Sequence, residues 1–357
     1  MKPKIAILVS GVGNRGGVER IALLQAQHFN ADIYTGRYDP KTTFPEFQDI
    51  KVTELYKGKL PRRIASFLIR FKFKKLKLKG YDFFIFHGGH SLAAAKNHKP
   101  NMWYCHAPTR WLYDLYEDEV RKFKPLKRTI FKIIAYILKK DDQKNVKHIN
   151  KIITNSENVK DRVRRFYNRN ATVIYPFVNL DKFKFREFGD FYLSSGRVDP
   201  IKRTTLLVQA FQKMPNKKLV VASGGPDLDK VKKMAEGYPN IEVLGWVSDK
   251  KLAQLYADCL ATVYVSYRED FGMVPPESMS CGKPCIGSND GGMKETIIHE
   301  KTGLLIDVNI ENIIKAVNWL TKEKAMKMKE ACIERAKKFS EEIHIKQTED
   351  EVKKSLN

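Results

Sequence analysis

Short apolar runs alternate with longer stretches of helical period along the whole chain. Lys4–Ser10 reads as a buried strand, Gly17–Asn30 as a helix and Asp32–Thr35 as a second strand. Tyr81–Phe86 and Asn101–Cys105 predict further strands on either side of a helical Ser91–Asn97, and Lys151–Asn155 and Thr172–Tyr175 add two more. The pattern then restarts. Strands are predicted at Phe191–Ser195, Lys218–Ser223, Ile241–Leu244, Thr262–Ser266 and Pro284–Gly287, with helices Thr204–Gln212, Lys230–Glu236, Lys250–Ala257 and Pro276–Ser280 between them. Strands rich in Val, Ile and Leu that alternate with helices predict parallel sheets covered on both faces. The expected fold class is therefore α/β, with two doubly wound domains over residues 1–180 and 181–340. The boundary is expected near Pro176–Glu187, where no period is visible, and the tail from Ile310 is helical.

Composition agrees with this picture. A chain of 357 residues is about twice the usual domain size. With 43% hydrophobic and 30% charged residues it can build full cores, which excludes a disordered or collagen-like chain. No apolar run reaches the roughly 18 residues needed to span a bilayer. The chain runs from Met1 straight into the strand-like IAILVS, so a cytoplasmic protein is expected. Five scattered cysteines do not suggest a disulfide framework, and Cys281 and Cys285 alone cannot complete a zinc site. The net charge of +24 is lopsided: residues 1–180 hold 36 Lys and Arg against 15 Asp and Glu, and residues 181–357 hold 29 against 26. Lysine decoration of a whole surface would make both halves basic. The asymmetry instead predicts an anionic partner for the first half: nucleic acid, an anionic membrane or a phosphorylated substrate.

Ligands of doubly wound sheets bind at the carboxyl ends of strands, so chemistry is sought in the loops there. Gly11, Gly13 and Gly16 match the dinucleotide pattern G-x-G-x-x-G, which would suit an NAD(P)-dependent oxidoreductase. That pattern also needs an acid after the second strand, and Asp32 comes before it. What remains is a glycine-rich turn whose amides, at the helix start around Gly16 and Gly17, can approach a phosphate. In the second loop Arg197 and Lys202 stand five apart around Pro200, and their heads could converge on a diphosphate, although solvated cations are the plain alternative. In the third loop Glu269 and Glu277 straddle a strand-to-helix turn containing Gly272. Carboxylates there would accept hydrogen bonds from sugar hydroxyls, and free amides would meet phosphate or sugar oxygens.

Further segments complete a series: Gly16-Gly17-x-Glu19-Arg20, Tyr104-Cys105-His106-x-Pro108, Asn155-Ser156, Ser195-Gly196-Arg197 with Lys202, and Gly224-Gly225-Pro226. Gly245-Trp246-Val247-Ser248, the glutamate pair and Gly291-Gly292-x-x-Glu295 follow. In this order and over nearly the whole chain, the series resembles the retaining glycosyltransferases of family 4, which have the GT-B fold. One departure is Gly224-Gly225, where G-x-G is more usual. The resemblance implies two Rossmann-like domains facing across a cleft. The amino-terminal domain would bind the acceptor and the carboxy-terminal one a nucleotide-sugar, with a last helix at about 340–357 packing back on the first domain. Arg197 and Lys202 would hold the donor diphosphate and stabilise charge on the leaving group, Glu277 the ribose, and Glu269 the transferred sugar. His106 would sit near the anomeric carbon. The amides of Gly272 and Met273 would lie against sugar and diphosphate, and Gly16, Gly17, Gly225, Val247, Phe271 and Val274 would complete the donor site. Fixed cations would replace a metal, so no metal and no cofactor beyond the nucleotide-sugar are expected. The segment Tyr104–Arg110 looks most like mannosyltransferases of the family, which favours GDP-mannose.

Some features keep two readings. His87 and His90 could pair on a metal or be structural. Asp227-x-Asp229 could mimic the D-x-D of metal-dependent sugar transferases, but its position favours a helix cap. Trp103, Tyr104, Trp111, Tyr113 and Tyr116 could floor an acceptor groove or fill a core. Lys57–Lys79 holds ten Lys or Arg and no acid among apolar residues, and Arg121–Arg165 adds fifteen basic residues against four acids. These read as a peripheral attachment to an anionic membrane, against the plainer reading of a solvated helix face. The expected activity is hexose transfer to a glycan or polyprenyl-diphosphate-linked acceptor. A nucleic-acid-binding protein is the remaining alternative, but no zinc, helix-turn-helix or RNP-type module is present, so no nucleic acid partner is expected.

Overall fold

The structure is a computed structural model that describes residues 3–356. The side chains of Arg62 and Arg63, part of the basic stretch, lie outside the described residues. The chain forms two compact units, one of residues up to Tyr175 together with those from Ile345, the other Pro176–His344. The expected limits were 180 and 340.

The first unit runs β1 (Ile5–Val9), α1 (Gly17–Phe29), β2 (Asp32–Thr35), β3 (Val52–Glu54), α2 (Arg62–Lys75), β4 (Phe83–His87) and β5 (Asn101–Cys105). It continues with α3 (Tyr116–Arg121), α4 (Pro125–Val146), β6 (Lys151–Thr154), α5 (Glu157–Tyr167) and β7 (Thr172–Val173). Its seven strands lie in the order β3-β2-β1-β4-β5-β6-β7, all parallel, with Ile7 of β1 opposite Ile33 of β2 and Ile85 of β4. Helices cover both faces, so β1, β4 and β5 are buried at every position. Ala6, Leu8, Phe84, Phe86 and Trp103 build the core on one side of the sheet.

The second unit runs β8 (Phe191–Ser194), α6 (Thr204–Gln212), β9 (Lys218–Val221), α7 (Leu228–Ala235), β10 (Ile241–Val243), α8 (Asp249–Asp258) and β11 (Ala261–Tyr264). Then come α9 (Val274–Ser280), β12 (Cys285–Ser288), α10 (Met293–Thr296), β13 (Gly303–Ile306), α11 (Ile310–Trp319) and α12 (Lys322–Lys337); α13 (Glu341–Leu356) starts in this unit and from Ile345 belongs to the first. The sheet order is β10-β9-β8-β11-β12-β13, again all parallel. Both sheets reverse their order at one point, β1/β4 in the first and β8/β11 in the second. A crevice for ligands opens at such points.

The basic stretches are helices. Pro125 starts α4 where its missing N–H costs nothing. Ser156 caps α5 by accepting from Val159 N at 3.0 Å, and Asn168 ends that helix at φ 51. Ser91–Asn97 is a 3₁₀ helix. All five cysteines are buried, and none forms a disulfide among the described residues.

Candidate functional site

In the second unit the loops that follow β8 and β11 meet at the switch point. Lys202 Nζ binds Glu269 Oε2 at 2.5 Å, and Tyr264 Oη donates to the same oxygen at 2.9 Å. Burial alone would lower the Lys202 pKa, but Tyr264 and Glu269 beside it hold it above the ordinary value. Burial alone would raise Glu269, yet the Lys202 charge and bonds from Lys202, Ser266 and Tyr264 hold it below. Both shifts favour the ion pair. Arg197 is held differently. Its Nε donates to Asp199 Oδ2 at 2.9 Å, while its side chain stays 64% exposed. The other Asp199 oxygen accepts from the backbone N–H of Ile201 and Lys202, at 3.0 Å each, and so shapes the turn. The turn delivers the chain to α6, whose N-terminus carries no side-chain cap.

Glu277, in the first turn of α9, is buried and accepts from Tyr256 Oη at 2.8 Å. Burial first, then Glu277, push the Tyr256 phenol well above its ordinary value, so it stays a donor. Ser195 Oγ lies 2.7 Å from Tyr256 Oη and supplies the proton there.

Glycines fix the loops by close approach. Gly291 has φ 58, and a Cβ on it would stand 2.3 Å from the Glu269 carbonyl oxygen. Gly292 donates its N–H to that oxygen at 3.0 Å. A Cβ on Gly225 would stand 2.2 Å from the Val198 carbonyl oxygen, and Val198 N donates to Gly224 O at 2.9 Å. This glycine pair therefore supports the Arg197 turn.

Other expected residues take different places. Phe271 is buried edge-on against Phe339, and Val274 belongs to the core. Gly272 lies in the Glu269 loop at φ 85, with Met273 partly buried after it. Val247 is half-buried beside Trp246, which is 73% exposed and packs over Gly224. Asp227 stands at the N-cap of α7 but makes no capping hydrogen bond, so it and Asp229 act there through charge.

In the first unit the glycine-rich turn carries its own anion. The Glu19 carboxylate accepts from the backbone of Glu19 itself, Gly16 and Gly13 and from the Asn14 side chain, so the Gly16 amide is partnered within the turn. Burial raises the Glu19 pKa despite these bonds. Gly17 is exposed in the first turn of α1. His106, just after β5, lies 3.0 Å from His87 Nδ1, and His87 Nε2 lies 3.0 Å from Gln25 Oε1. Gln25 Oε1 can only accept, so His87 Nε2 donates to it, and the bond shared by His87 Nδ1 and His106 Nε2 orients His106. His87 is thus tied to His106. The loops after β1, β2, β4 and β5 also open into a cavity of about 1640 Å³, walled by α2 and α4. Trp103 and Tyr104 are core residues, whereas Trp111 lines this cavity.

Tyr256, Tyr264 and Asp199 were not expected at a site, and His87 was weighed only with His90 as a metal pair or a structural residue. They read as core strands, a helix and a turn, and only the fold shows what they touch. Trp246 stood inside a recognised motif, but its exposure carries no mark in the sequence.

Residues 15–182 match Glycosyltransferase Family 4, and residues 179–339 match the Glycosyl transferases group 1. Alpha-1,3/1,6-mannosyltransferase ALG2 of Homo sapiens is 25% identical over 409 residues, covering 97% of this chain and 94% of that protein. The D-inositol 3-phosphate glycosyltransferase of Mycobacteroides abscessus is 26% identical over 223 residues, and there the match spans 56% of this chain and half of the relative's length. Among solved structures, the Anabaena protein HepE in complex with UDP and glucose superposes with TM-score 0.76 at 17% identity, covering 98% of this chain and 99% of that one. Sucrose-phosphate synthase of Thermosynechococcus elongatus superposes with TM-score 0.78 at 20% identity over 98% of each chain. Two parallel-sheet units, their matched halves and these neighbours lead to one conclusion: the chain belongs to the GT-B glycosyltransferases, with a family 4 domain followed by a group 1 domain.

Proposed function

We propose that the protein transfers mannose from GDP-mannose, with retention of configuration and without a metal, to a polyprenyl-diphosphate-linked saccharide at the cytoplasmic face of a membrane. The observation that carries the donor half is the Lys202–Glu269 pair at the switch point of the second sheet, with Arg197 beside it in the same turn. Arg197 is exposed enough to leave Asp199 for a diphosphate, and Lys202 is already desolvated beside the loop of Gly272 and Met273. Preorganised cations of this kind stabilise charge that develops on a leaving diphosphate. The uncapped start of α6 adds its dipole. Glu277 is the proposed partner of the ribose hydroxyls, and Glu269 of the transferred sugar. In this reading His106, oriented by His87, hydrogen-bonds that sugar. The exposed face of Trp246 beside Val247 suits a nucleobase. Mannose is supported by the similarity to ALG2 and by the segment Tyr104–Arg110. The lipid-linked acceptor and the membrane are supported by the basic first unit. No described helix is long and apolar enough to cross a membrane.

Thermal shift with GDP, UDP, ADP, TDP, NAD and a short DNA duplex tests the donor. GDP should give the largest rise; a ligand at 100 times its Kd stabilises by about 2.7 kcal/mol. A larger rise with UDP would replace the proposed base, and a rise with NAD or DNA alone would overturn the reading. Initial rates in saturating EDTA should stay unchanged. Complete loss of activity, restored by Mn²⁺ or Mg²⁺, would refute metal independence.

A further inference from the structure

The first unit carries two apolar stripes that its own described residues leave exposed. On α2 they are Ile64, Phe67, Leu68 and Phe71, and on α4 Ile130, Ile133, Ile134 and Ile137, both at the i, i+3, i+4, i+7 spacing of one helix face. Each of these side chains is between 38% and 59% exposed. Of the seventeen exposed large hydrophobic side chains among the described residues, eleven lie in 60–71 or 126–137. Their concentration is not the scatter expected of an ordinary surface. The opposite face of α2, with Ala65, Ile69 and Phe73, is buried in the core, so the helix is apolar on two sides.

The two helices are tied together by Arg70, whose Nε donates to Asp141 Oδ2 at 2.6 Å. They wall the cavity of about 1640 Å³, to which Phe67, Ile69, Phe131, Ile134 and Leu138 contribute an apolar side. The far side of the same cavity is made by Ser10, Gly11–Asn14 and Gly88–His90, at the carboxyl ends of β1 and β4. Its acids are all engaged: Glu19 by backbone amides, Glu54 by Tyr38 N, Asp39 by Lys41 N, Glu119 by Lys122, and Asp142 by Tyr113 and Tyr167. Lys57 and Lys59 also line it; both are exposed and make no ion pair among the described residues. Arg37 donates to the carbonyls of Gly58 and Leu60 and so holds the segment that carries them.

We propose that the groove between α2 and α4 takes the hydrocarbon of a lipid diphosphate acceptor, with Lys57 and Lys59 on its diphosphate, while the outer stripes rest on an anionic bilayer. The inference rests on the lipid-linked acceptor proposed above and assigns it a site. Phe67 and Ile134 belong to both groove and stripe; Ile133 and Ile137 belong to the stripe alone. The two exposed lysines and the Lys-rich flanks of both helices complement an anionic head group and surface. An apolar wall that continues into a polar crevice matches a molecule with a lipid tail and a charged head.

The test compares the full chain with three double variants by titration with soluble farnesyl diphosphate and inorganic diphosphate, and by flotation with vesicles containing 30% phosphatidylglycerol. Wild type should bind farnesyl diphosphate well above inorganic diphosphate and float in a salt-sensitive way. Phe67→Gln/Ile134→Gln should weaken farnesyl diphosphate binding roughly tenfold or more and leave inorganic diphosphate unchanged. Ile133→Gln/Ile137→Gln should lower flotation and keep farnesyl diphosphate binding. Lys57→Glu/Lys59→Glu should weaken both diphosphates. All substitutions are at exposed positions, and an unchanged nucleotide-induced shift in melting temperature verifies folding. Wild-type affinity for farnesyl diphosphate in the Phe67/Ile134 variant would overturn the groove while leaving a lipid-linked acceptor standing. A wild type that neither binds farnesyl diphosphate nor floats, yet glycosylates a free saccharide, would overturn the lipid-linked acceptor itself.

Discussion

Lys202→Ala should lose about 10²–10³ in turnover, the usual cost of removing one preorganised charge from a site. It should also lose more stability than Lys202→Ala/Glu269→Gln. The reason is the environment of the pair: the Lys202 side chain is 20% exposed, that of Glu269 12%, and the two share a 2.5 Å contact. Removing one partner of a buried pair leaves an uncompensated charge and typically costs about 3–5 kcal/mol. Neutralising Glu269 as well removes that orphan charge, so the urea midpoint should recover in part. Turnover should not recover, because the cation is still missing. If activity returned along with stability, Lys202 would be a support for Glu269 and not a ligand of the donor. The sign of the pH dependence follows from the two shifts. Glu269 is held below its ordinary value of 4.5, so its contribution is present above that pH and is lost as pH falls through the depressed value. Lys202 is held above 10.5, so its contribution is present below that pH and is lost as pH rises through the raised value. The stability difference between wild type and the double variant should therefore be flat through neutral pH and shrink in acid.

Gly291→Ala should damage both the stability of the second unit and its site. Its φ of 58 costs an L-residue about 1–2 kcal/mol. The added Cβ would meet the Glu269 carbonyl oxygen at 2.3 Å and the Glu269 nitrogen at 2.9 Å, both rigid backbone atoms. The loop must move, and Glu269 moves with it. A misplacement of about 1 Å at a reacting site can cost up to about 10² in rate. A lower urea midpoint together with a fall in turnover of tenfold or more is expected, and nucleotide affinity measured alongside shows whether the donor pocket follows. Wild-type turnover at reduced stability would mean that the position of Glu269 does not matter to the chemistry.

Several elements were legible because their signals are local. Asp32–Thr35, Asn101–Cys105 and Thr204–Gln212 have the bounds read from periodicity, since a buried parallel strand or a one-faced helix writes its pattern within its own residues. The Glu269 and Glu277 pair stood out for a related reason: a strand, a glycine turn and a helix start are adjacent in sequence. Helices α2 and α4 were harder to read as helices. Apolar and basic residues are spread around both, and a helix that is apolar on two faces shows no single stripe.

By itself, then, the sequence determined the alternation of strands and helices, the two doubly wound units, the order of the motifs and the basic first half, all of which are properties of neighbours along the chain. The tertiary structure decided which charges meet. Lys202 reaches Glu269, 67 residues away, because β8 and β11 lie side by side at the point where the sheet reverses. Glu19 folds back into the glycine turn that reads in sequence as a phosphate cradle. Phe271 packs edge-on against Phe339, 68 residues further along the chain. Helices α2 and α4 likewise become walls of one cavity only when they are joined through Arg70 and Asp141. Such pairings depend on burial and on distance through space, and residue spacing along a chain carries neither.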